Sequence, residues 1–515
     1  MNSYVGTGRG SDPPILRIQF QSFPFSKTRI LSVQPKSVAT ALTFELPRAD
    51  CIPVDFKEFI HAEWLDHIPR SVEFEFEDKH LTINHSYKES LRIVVPWNVE
   101  DLGVFFLKTV SLPRNKKNYD LVLEIARGTV GRLVDQTENW IAAGLQVDQS
   151  TQQQIQRVKS DFQQATFSTD QIRFDLANKT IRASIQLMGK ISELFAELIF
   201  ELRRNENQPK TSLLGCQLDP ESGKLQKALE NIFNAAVLQI PEYEEPNSKV
   251  TMQLESLCGK LHQKGITSCT EPLFQISEFR KQDFATIEDA EDNLLERGKR
   301  LVEQCGNEFK LIYPLAQMGF HENNGWSDQE QIHFAFELYR MIKNLQPHVP
   351  LLLGINQPFG ESQTVFPLNK SPIQLADNLI RMETPVAAFC LEFNLGYYPQ
   401  GTWARDLYAF NDLLDAWAHF DFPLIIQLQI PGGVKKRLES EANDFEMAAA
   451  LDSQANWIRQ ITLLSMAKHN VAGVFYGNLI DQASDQYFGS GLFNNQLNPK
   501  PAVETLRTIR ELMNR

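Results

Sequence analysis

Cysteine is scarce in this sequence, and its arrangement excludes several kinds of chemistry. The six cysteines are scattered and form no CxxC pair, and three of them fall inside apolar runs. A buried thiol of this kind acts as a small apolar side chain, so we expect reduced, structural cysteines. The ten histidines show no HxH or HExxH spacing. We therefore expect no metal site.

Long apolar runs and an excess of positive charge are also lacking. No run approaches the roughly 18 apolar residues of a membrane-spanning helix, and the first residues, MNSYVGTGRGSDPP, lack the apolar core of a signal peptide. The formal net charge of −13 disfavours nucleic acid and anionic membranes as partners. These features predict a cytoplasmic protein with no nucleic-acid partner and no membrane partner.

Glycine-rich phosphate loops are missing as well. Neither GxGxxG nor GxxxxGK occurs, and GTGRG near the N-terminus has no strand pattern before it and no helix pattern after it. We therefore expect no nucleotide cofactor, and no cofactor of any other kind.

What the sequence does contain is a regular alternation of apolar runs and helix-like stretches in its C-terminal part. Buried parallel strands, covered on both faces, read as continuous apolar runs. We predict an α/β fold with a (β/α)8 TIM barrel over residues 209–515. The eight strand-like runs are SLLGCQLDP (212–220), FNAAVLQIPEY (233–243), GITSCTEPLF (265–274), FKLIYPLAQMGF (309–320), PLLLGINQPFG (350–360), AAFCLEFNLGYY (387–398), FPLIIQLQIPG (422–432) and VAGVFYGNLID (471–481).

Two further regions precede the predicted barrel. Residues 1–115 contain short β-like stretches between proline and polar breaks, which predicts a sandwich-like β module. Residues 116–208 have helical periodicity, with apolar positions from Leu121 to Ile141 and a second long helix from about Asn178 to Arg204. We predict a helical hairpin that joins the β module to the barrel.

The barrel prediction also indicates where function should lie. Barrel enzymes carry their chemistry on the loops that follow the carboxyl ends of the strands. The polar or functional residues at those ends should ring one mouth: Asp219, Glu242, Glu271, Met318, Asn356, Glu392, Gln427 and Asp481.

Two segments of the barrel resemble glycoside hydrolase family 10, the endo-β-1,4-xylanases. LHQKGITSCTEPLF is similar to the family's third-strand region, with Glu271 in place of a histidine and Phe274 in place of a tryptophan. The end of the chain is the stronger match, carried by Leu492, Phe493, Pro499, Lys500, Pro501 and Ala502. The resemblance covers Leu213 to the C-terminus and implies a polysaccharide or oligosaccharide ligand of the β-1,4-linked xylan type.

The catalytic residues that the resemblance implies are not matched here. The family retains stereochemistry with two glutamates, one after strand four and one after strand seven, and the mechanism needs carboxylates about 5–5.5 Å apart. The alignment puts Gln317 and Met318 on the first position and Gln427 on the second. A thioether and an amide supply neither proton nor nucleophile.

Other residues near the strand ends are candidates for sugar chemistry. Glu392 is the first candidate for a relocated catalytic carboxylate, with Glu322 or Glu361 as its partner. Aromatic faces stack on pyranose rings while amides and carboxylates bind hydroxyls. The predicted binding residues are Glu271, Asn356, Asn394, Tyr397, Tyr398, Trp403, Gln427 and Tyr476.

Three hypotheses are consistent with these patterns. The first is a divergent glycosidase that uses relocated carboxylates around Glu392. The second is a carbohydrate-binding pseudoenzyme that keeps an aromatic cleft. The third is a scaffold protein, with the helices of residues 116–208 as a docking surface. The fold alone does not separate them, because one barrel supports many chemistries.

Overall fold

Eight parallel strand positions close into a barrel in the C-terminal part of the chain. The computed structural model describes residues 40–46, 52–64, 67–77, 79–85, 90–113, 118–206, 212–218, 230–240, 249–283, 285–321, 325–366, 369–397, 401–433, 451–481 and 487–514. The barrel strands are β9 (Leu213–Leu218), β10 (Ala235–Leu238), β11 (Thr267–Thr270), β12 (Phe274–Gln275), β13 (Ile312–Met318), β14 (Leu351–Asn356), β15 (Ala388–Asn394), β16 (Leu424–Gln429) and β17 (Val471–Tyr476).

The hydrogen-bonded strand order is β11-β10-β9-β17-β16-β15-β14-β13-β12. Strands β11 and β12 are two pieces of the third barrel strand, interrupted at Glu271–Leu273. A bridge between Cys269 and Leu311 joins this position to the fourth strand and closes the ring. The predicted α/β barrel, built from parallel strands and helices, is confirmed.

Helices cover the outside of the barrel. They are α4 (Lys249–Gln263), α5 (Ile287–Cys305), α6 (Asp328–Leu345), α7 (Pro372–Arg381), α8 (Leu407–Ala418), α9 (Leu451–Ala467) and α10 (Pro501–Asn514). Helix α6 begins with a capping box at Ser327 and α7 with one at Ser371, which satisfy backbone donors at the first turn. No helix in the described residues is long and apolar enough to cross a membrane.

The barrel interior is filled by its own small cluster of side chains. Cys269, Tyr313, Cys390 and Phe475 belong to this inner cluster, while a larger apolar layer lies between strands and helices. The structure describes the side chains of four cysteines, and all four are buried: Cys216, Cys258, Cys269 and Cys390.

The described residues of the N-terminal region, from Thr40 to Asp120, are β-rich. Its strands are β1 (Thr40–Glu45), β2 (His61–Glu63), β3 (Pro69–Ser71), β4 (Glu73–Glu77), β5 (His80–His85), β6 (Arg92–Val99), β7 (Gly103–Lys108) and β8 (Asn118–Asp120). They form two four-stranded sheets with the orders β4-β5-β1-β8 and β3-β2-β6-β7. All pairs are antiparallel except β1 with β8.

Three helices, rather than the predicted hairpin of two, connect the sheets to the barrel. They are α1 (Leu121–Ala142), α2 (Gln149–Phe167) and α3 (Asp170–Asn205). Helix α2 was not predicted, because few apolar residues recur at helical spacing in its sequence, QSTQQQIQRVKSDFQQATF. Only Thr151, Ile155, Val158 and Ala165 are buried.

The sheet β3-β2-β6-β7 docks against the barrel at the loop after β15. The backbone N–H of Phe106 donates to the carbonyl of Ala404 at 2.8 Å. Trp403 stacks on Phe106 with ring centroids 4.5 Å apart. The barrel mouth is therefore bordered on the side of strand β15 by an N-terminal sheet.

Candidate functional site

A pocket of about 210 Å³ opens at the mouth where the barrel strands end. Its walls come from the carboxyl ends of β9, β10, β13, β15, β16 and β17 and from the break between β11 and β12. The lining residues are Gln217, Val237, Glu271, Pro272, Gln275, Tyr313, Ala316, Gln317, Glu392, Gln427, Gln429, Phe475, Tyr476, Gly477, Asn478 and Tyr487. This is the end of a barrel at which ligands bind.

Glu392 lies at the floor of this pocket, near the end of β15, and is 3% exposed. Its Oε1 accepts a hydrogen bond from the Tyr313 hydroxyl at 2.7 Å and another from the Gln317 backbone N–H at 3.0 Å. Burial raises the pKa of Glu392 to about 7, against the opposing effect of these two hydrogen bonds. The carboxyl can therefore hold or release a proton near neutral pH.

The strand beside Glu392 leaves room for this arrangement. A Cβ on Gly354 would lie 2.1 Å from the Tyr313 hydroxyl oxygen and 2.2 Å from Glu392 Oε1. Only glycine at this position of β14 permits the two side chains to meet inside the barrel. Burial also raises the pKa of Tyr313 well above its usual range, so Tyr313 stays protonated and acts as a donor.

Gln317 occupies the end of strand four in an unusual backbone conformation. Its φ is +62°, in the left-handed region that non-glycine residues rarely adopt, and the pairing of β13 with β14 shifts register nearby. The turn directs its N–H to Glu392 and its side chain to Gln275, whose Oε1 accepts from Nε2 at 3.1 Å. Such strain is found at functional sites.

Met318, expected at the mouth, lies elsewhere. It is fully buried in the apolar layer between strands and helices and does not line the pocket. Because side chains alternate along a strand, one residue of difference separates the mouth from the outer layer. Of the two residues aligned with the first catalytic position, Gln317 lines the pocket and Met318 does not.

Glu271 and Gln217 form a second polar group across the pocket. Glu271 lies at the break in the third strand, and its Oε1 accepts a short hydrogen bond from Gln217 Nε2. Its backbone N–H donates to the carbonyl of Leu238, the last residue of β10, at 2.8 Å. This hydrogen bond holds the interrupted part of the third strand against β10. The pocket thus contains two carboxyl groups on different strands, Glu271 and Glu392.

Two amides from strand seven line the same space. Gln427 pairs in register with Glu392, and its Oε1 accepts a weak hydrogen bond from the Cys390 thiol at 3.6 Å. Gln429 packs against Gly477, where a Cβ would meet its Nε2 at 1.6 Å. Gln427, predicted as a binding residue, is therefore part of the pocket wall.

Tyr487 is a pocket residue that sequence reasoning missed. It follows β17 in the segment YFGSG, and its ring meets that of Tyr397 edge to face at 5.1 Å. Burial raises its pKa, as does the charge of Glu392, while contacts with Gln317 and Asn394 act in the opposite direction. The only sequence signal was an aromatic residue beside two glycines in a loop after a strand.

Of two predicted aromatic binding residues, Trp403 lies away from the pocket and Tyr476 lines it. Trp403 is 1% exposed and packs among Phe59, Val94 and Phe106 of the N-terminal sheet, so it is an interdomain contact and not a sugar platform. Tyr476 lines the pocket, and its hydroxyl makes a short hydrogen bond with Thr462 on α9.

The remaining predicted residues surround the pocket without lining it. Asn356 and Asn394 are buried at the ends of β14 and β15. Tyr397 donates its hydroxyl to the Phe488 carbonyl at 2.9 Å and supports Tyr487. Asp481 pairs with Lys500 at 2.8 Å. Four predicted residues fall outside the described part of the chain: Asp219, Glu242, Glu322 and Tyr398.

Glu361 does not reach the pocket either. It is 1% exposed, and its Oε1 accepts from the Trp403 backbone N–H at 3.1 Å. Burial raises its pKa to about 7, although the nearby Arg405 charge lowers it. A carboxylate pair of Glu361 with Glu392 in one pocket is therefore excluded by its position under Trp403.

Among the residues that the structure describes, no set of side chains is arranged to bind a metal ion. No group of three or more His, Cys, Asp or Glu side chains among them is placed to hold an ion.

The fold and site define a (β/α)8 barrel protein with a polar pocket at the carboxyl ends of its strands. No protein-family model and no curated protein sequence matches the chain. Solved structures to which it is similar include family 10 xylanases, the family that the sequence resembles.

Three of these structures give the extent of the similarity. Native xylanase 10B from Thermotoga maritima has 15% identity, with 61% of this chain and 99% of that chain covered and a TM-score of 0.44. Endo-1,4-β-xylanase XylE from Penicillium canescens has 15% identity, 61% and 97% coverage and a TM-score of 0.44. Xylanase 10B from Thermotoga petrophila, in complex with xylobiose, has 15% identity, 61% and 97% coverage and a TM-score of 0.43. The similarity at these identities concerns the fold and not the residues of the site.

Proposed function

We propose that the barrel pocket binds a neutral carbohydrate, a β-1,4-linked oligosaccharide of the xylan type, without the retaining hydrolysis of family 10. The observation that carries this proposal is the chemistry of the pocket wall. Six of its sixteen lining residues carry a side-chain amide: Gln217, Gln275, Gln317, Gln427, Gln429 and Asn478. An amide offers donors and acceptors together, which suits the hydroxyl groups of a sugar.

The charges around the pocket support a neutral ligand. No lysine, arginine or histidine lines it within the described part of the chain, whereas Glu271 and Glu392 do. An anionic ligand such as a phosphate would meet carboxylates and no cation, which disfavours its binding. Phe475, Tyr313 and Tyr487 supply aromatic surface beside the amides. The sequence resemblance supports the xylan type.

Direct binding tests the proposal. Xylotriose titrated into the protein by calorimetry should give saturable binding, and Gln427→Ala should weaken it about tenfold, since a truncated hydrogen-bonding pair is worth roughly 1–2 kcal/mol. The matched control is Gln164→Ala, at an exposed glutamine on α2. Absence of binding by xylotriose and related β-linked trisaccharides would contradict the proposal.

A second candidate is slow hydrolysis by a relocated carboxyl pair. The observation that favours it is the position of Glu271 and Glu392 in one pocket, with the pKa of Glu392 raised to about 7. A protonated Glu392 would donate to the leaving oxygen, and Glu271 would activate water or attack the sugar.

Reducing-sugar release separates the two candidates. Hydrolysis predicts turnover of xylo-oligosaccharides that falls at least about a hundredfold in Glu392→Gln, the range expected for loss of a general acid. Glu303→Gln, at an exposed position on α5, is the control. Binding without turnover in the unaltered protein identifies a carbohydrate-binding pseudoenzyme and excludes the second candidate.

A further inference from the structure

A second cavity lies where the N-terminal sheet β3-β2-β6-β7 meets the barrel. Its volume is about 60 Å³, and it shares no lining residue with the pocket at the barrel mouth. Its wall comes from the loop after β2, the end of β7, the loop after β14 and the helices α7 and α8. Most of this wall is apolar and includes Ile68, Pro358, Phe359, Ile373 and Leu413. The cavity therefore suits an apolar group.

Two cations in the same wall share one carboxylate. Lys108 and Arg405 line the cavity, and their side chains are 5% and 2% exposed. Lys108 Nζ donates to Glu63 Oε2 at 2.9 Å, and Arg405 Nη1 donates to Glu63 Oε1 at 2.6 Å. The three side chains together carry one net positive charge. A buried charge in excess is costly unless an anion neutralises it.

Arg405 also has one edge of its guanidinium group without a hydrogen-bond partner. Its Nε and Nη2 are buried and donate to no acceptor in the part of the chain that the structure describes. The guanidinium carbon lies 4.7 Å from the centre of the Phe359 ring, so the group stacks on a side chain of the cavity wall. The Nε and Nη2 donors lie side by side and match the two oxygens of a carboxylate.

The surroundings of this edge favour an anion in two further ways. The first residues of α7, Pro372 and Ile373, line the cavity, so the positive end of the helix dipole lies beside it. His67 Nδ1 lies 3.1 Å from Lys108 Nζ, and burial lowers the pKa of His67 to about 4. The neutral ring therefore accepts from Lys108 and leaves the lysine charged.

Two carboxyl groups near the cavity act against an anion. Asp412 on α8 lines the wall, and Glu361 lies close enough to Arg405 for their charges to interact. Burial raises the pKa of Asp412, although the Lys108 charge lowers it, and burial raises the pKa of Glu361 to about 7. Burial therefore favours the neutral form of both groups, which weakens their repulsion of an anion.

We infer that this cavity binds a short aliphatic carboxylate, with its two oxygens on the Nε and Nη2 edge of Arg405 and its tail among the apolar residues of the wall. At roughly 10–15 Å³ for each water-sized group, a volume of about 60 Å³ holds about four to six non-hydrogen atoms. That is the size range from acetate to butyrate. The site is separate from the pocket at the barrel mouth and does not depend on carbohydrate binding.

Calorimetry with matched probes tests this inference at a fixed ionic strength. Sodium propionate should bind saturably at one site. Propionamide, which has the same size and no charge, and inorganic phosphate, which has no apolar tail, should each bind at least about tenfold more weakly. Absence of propionate binding, or equal affinity for propionate and either of these probes, overturns the inference. Octanoate binding more than about tenfold tighter than propionate overturns the assignment to a short acid.

Two variants should change propionate affinity in opposite directions. Arg405→Lys keeps a positive charge toward Glu63 but lacks the second pair of donors, and it should weaken propionate binding at least about tenfold. Asp412→Asn removes the carboxyl group from the wall and should strengthen propionate binding about threefold or more, while propionamide binding stays unchanged. An unchanged propionate affinity in Asp412→Asn contradicts an anion in this cavity.

A third variant tests the site without altering the ionic group, should Arg405→Lys fail to fold. Ala416→Leu adds bulk to the cavity wall from α8 and should abolish propionate binding. The matched control is Ala418→Leu, at a half-buried position of the same helix that does not line the cavity, and it should bind propionate as the unaltered protein does. Full propionate affinity in a folded Ala416→Leu protein would place the bound acid elsewhere and overturn the inference.

Discussion

At the level of single residues, Glu392 combines burial with two hydrogen bonds donated to the same oxygen. Burial favours the neutral form, whereas the Tyr313 hydroxyl and the Gln317 N–H favour the charged one. The balance places the pKa at about 7 instead of 4.5. Because the pKa of the folded state is raised, the folded protein binds this proton more tightly than the unfolded chain does.

Glu392→Gln should therefore change how stability depends on pH. With the folded pKa above the unfolded one, stability from this group is full below about pH 4.5 and is lost as pH rises through about 7. The free energy of unfolding of the variant, relative to the unaltered protein, should rise by about 3 kcal/mol between pH 4.5 and 8. Glutamine keeps both hydrogen bonds through its carbonyl oxygen.

Urea unfolding at a series of pH values measures this difference. Glu361 has a pKa raised to about 7 as well, but it titrates in both proteins and cancels. Glu303 is exposed, and the difference in unfolding free energy between Glu303→Gln and the unaltered protein should stay constant across the same pH range. If the difference in unfolding free energy between Glu392→Gln and the unaltered protein does not vary with pH, the pKa of Glu392 is not raised.

Sequence reasoning at this scale located strand-end residues better than loop residues. Glu271, Gln427 and Glu392 lie in the pocket because strand ends in a barrel converge on one mouth. Trp403 was assigned to a sugar-binding wall, but its partners Phe59 and Phe106 lie about 300 residues earlier in the chain. No local pattern reveals such a partner.

At the level of secondary-structure elements, the buried strands were the most predictable. All seven residues of β13 and of β15 are buried, and each forms part of one continuous apolar run in the sequence. The break of the third strand at Glu271 was not foreseen, because Pro272 and Leu273 continue the run. That break is what brings a carboxyl group into the pocket.

Gly354→Ala tests how tightly β14 packs against the strands on either side of it. The added methyl group would collide with the Tyr313 hydroxyl and with Glu392 Oε1, so both side chains must move. We expect a loss of about 1–3 kcal/mol in unfolding free energy, as for other overpacked cores, together with weaker ligand binding.

Gly259→Ala on α4 is the matched control. A Cβ there meets nothing within 4 Å, and alanine in a helix is favoured over glycine by roughly 0.5–1 kcal/mol. Chemical denaturation should therefore show a lower free energy of unfolding for Gly354→Ala and a higher one for Gly259→Ala. An equal change in the free energy of unfolding in both variants would show that the side chains around Gly354 accommodate the added methyl group without loss of stability.

At the level of the whole molecule, a buried ionic cluster joins the N-terminal sheet to the barrel. Glu63 on β2 accepts from Lys108 Nζ at 2.9 Å and from Arg405 Nη1, after strand β15, at 2.6 Å. All three side chains are almost fully buried. Burial alone would raise the pKa of Glu63, but the charges of Lys108 and Arg405 hold it well below its usual range.

Glu63→Gln should destabilise the protein strongly. The amide keeps the shape of the side chain but removes the carboxylate that both buried cations contact, and breaking a buried ion pair costs about 3–5 kcal/mol. Glu100→Gln is the control, because Glu100 pairs with Arg182 on the surface and its side chain is 81% exposed; we expect a change below about 1 kcal/mol. Guanidinium unfolding measures both, and a similar small effect in the two variants would contradict the role given to Glu63.

The same cluster bears on how the protein is made. Glu63 and Lys108 leave the ribosome long before Arg405, which is synthesised about 300 residues later. At synthesis rates of about 5–20 residues per second, the wait is roughly 15–60 s. During that time the face of the early sheet that will receive Trp403 and Arg405 stays uncovered in the nascent chain. The burial of Glu63 and Lys108 against the barrel therefore waits for the segment that carries Arg405.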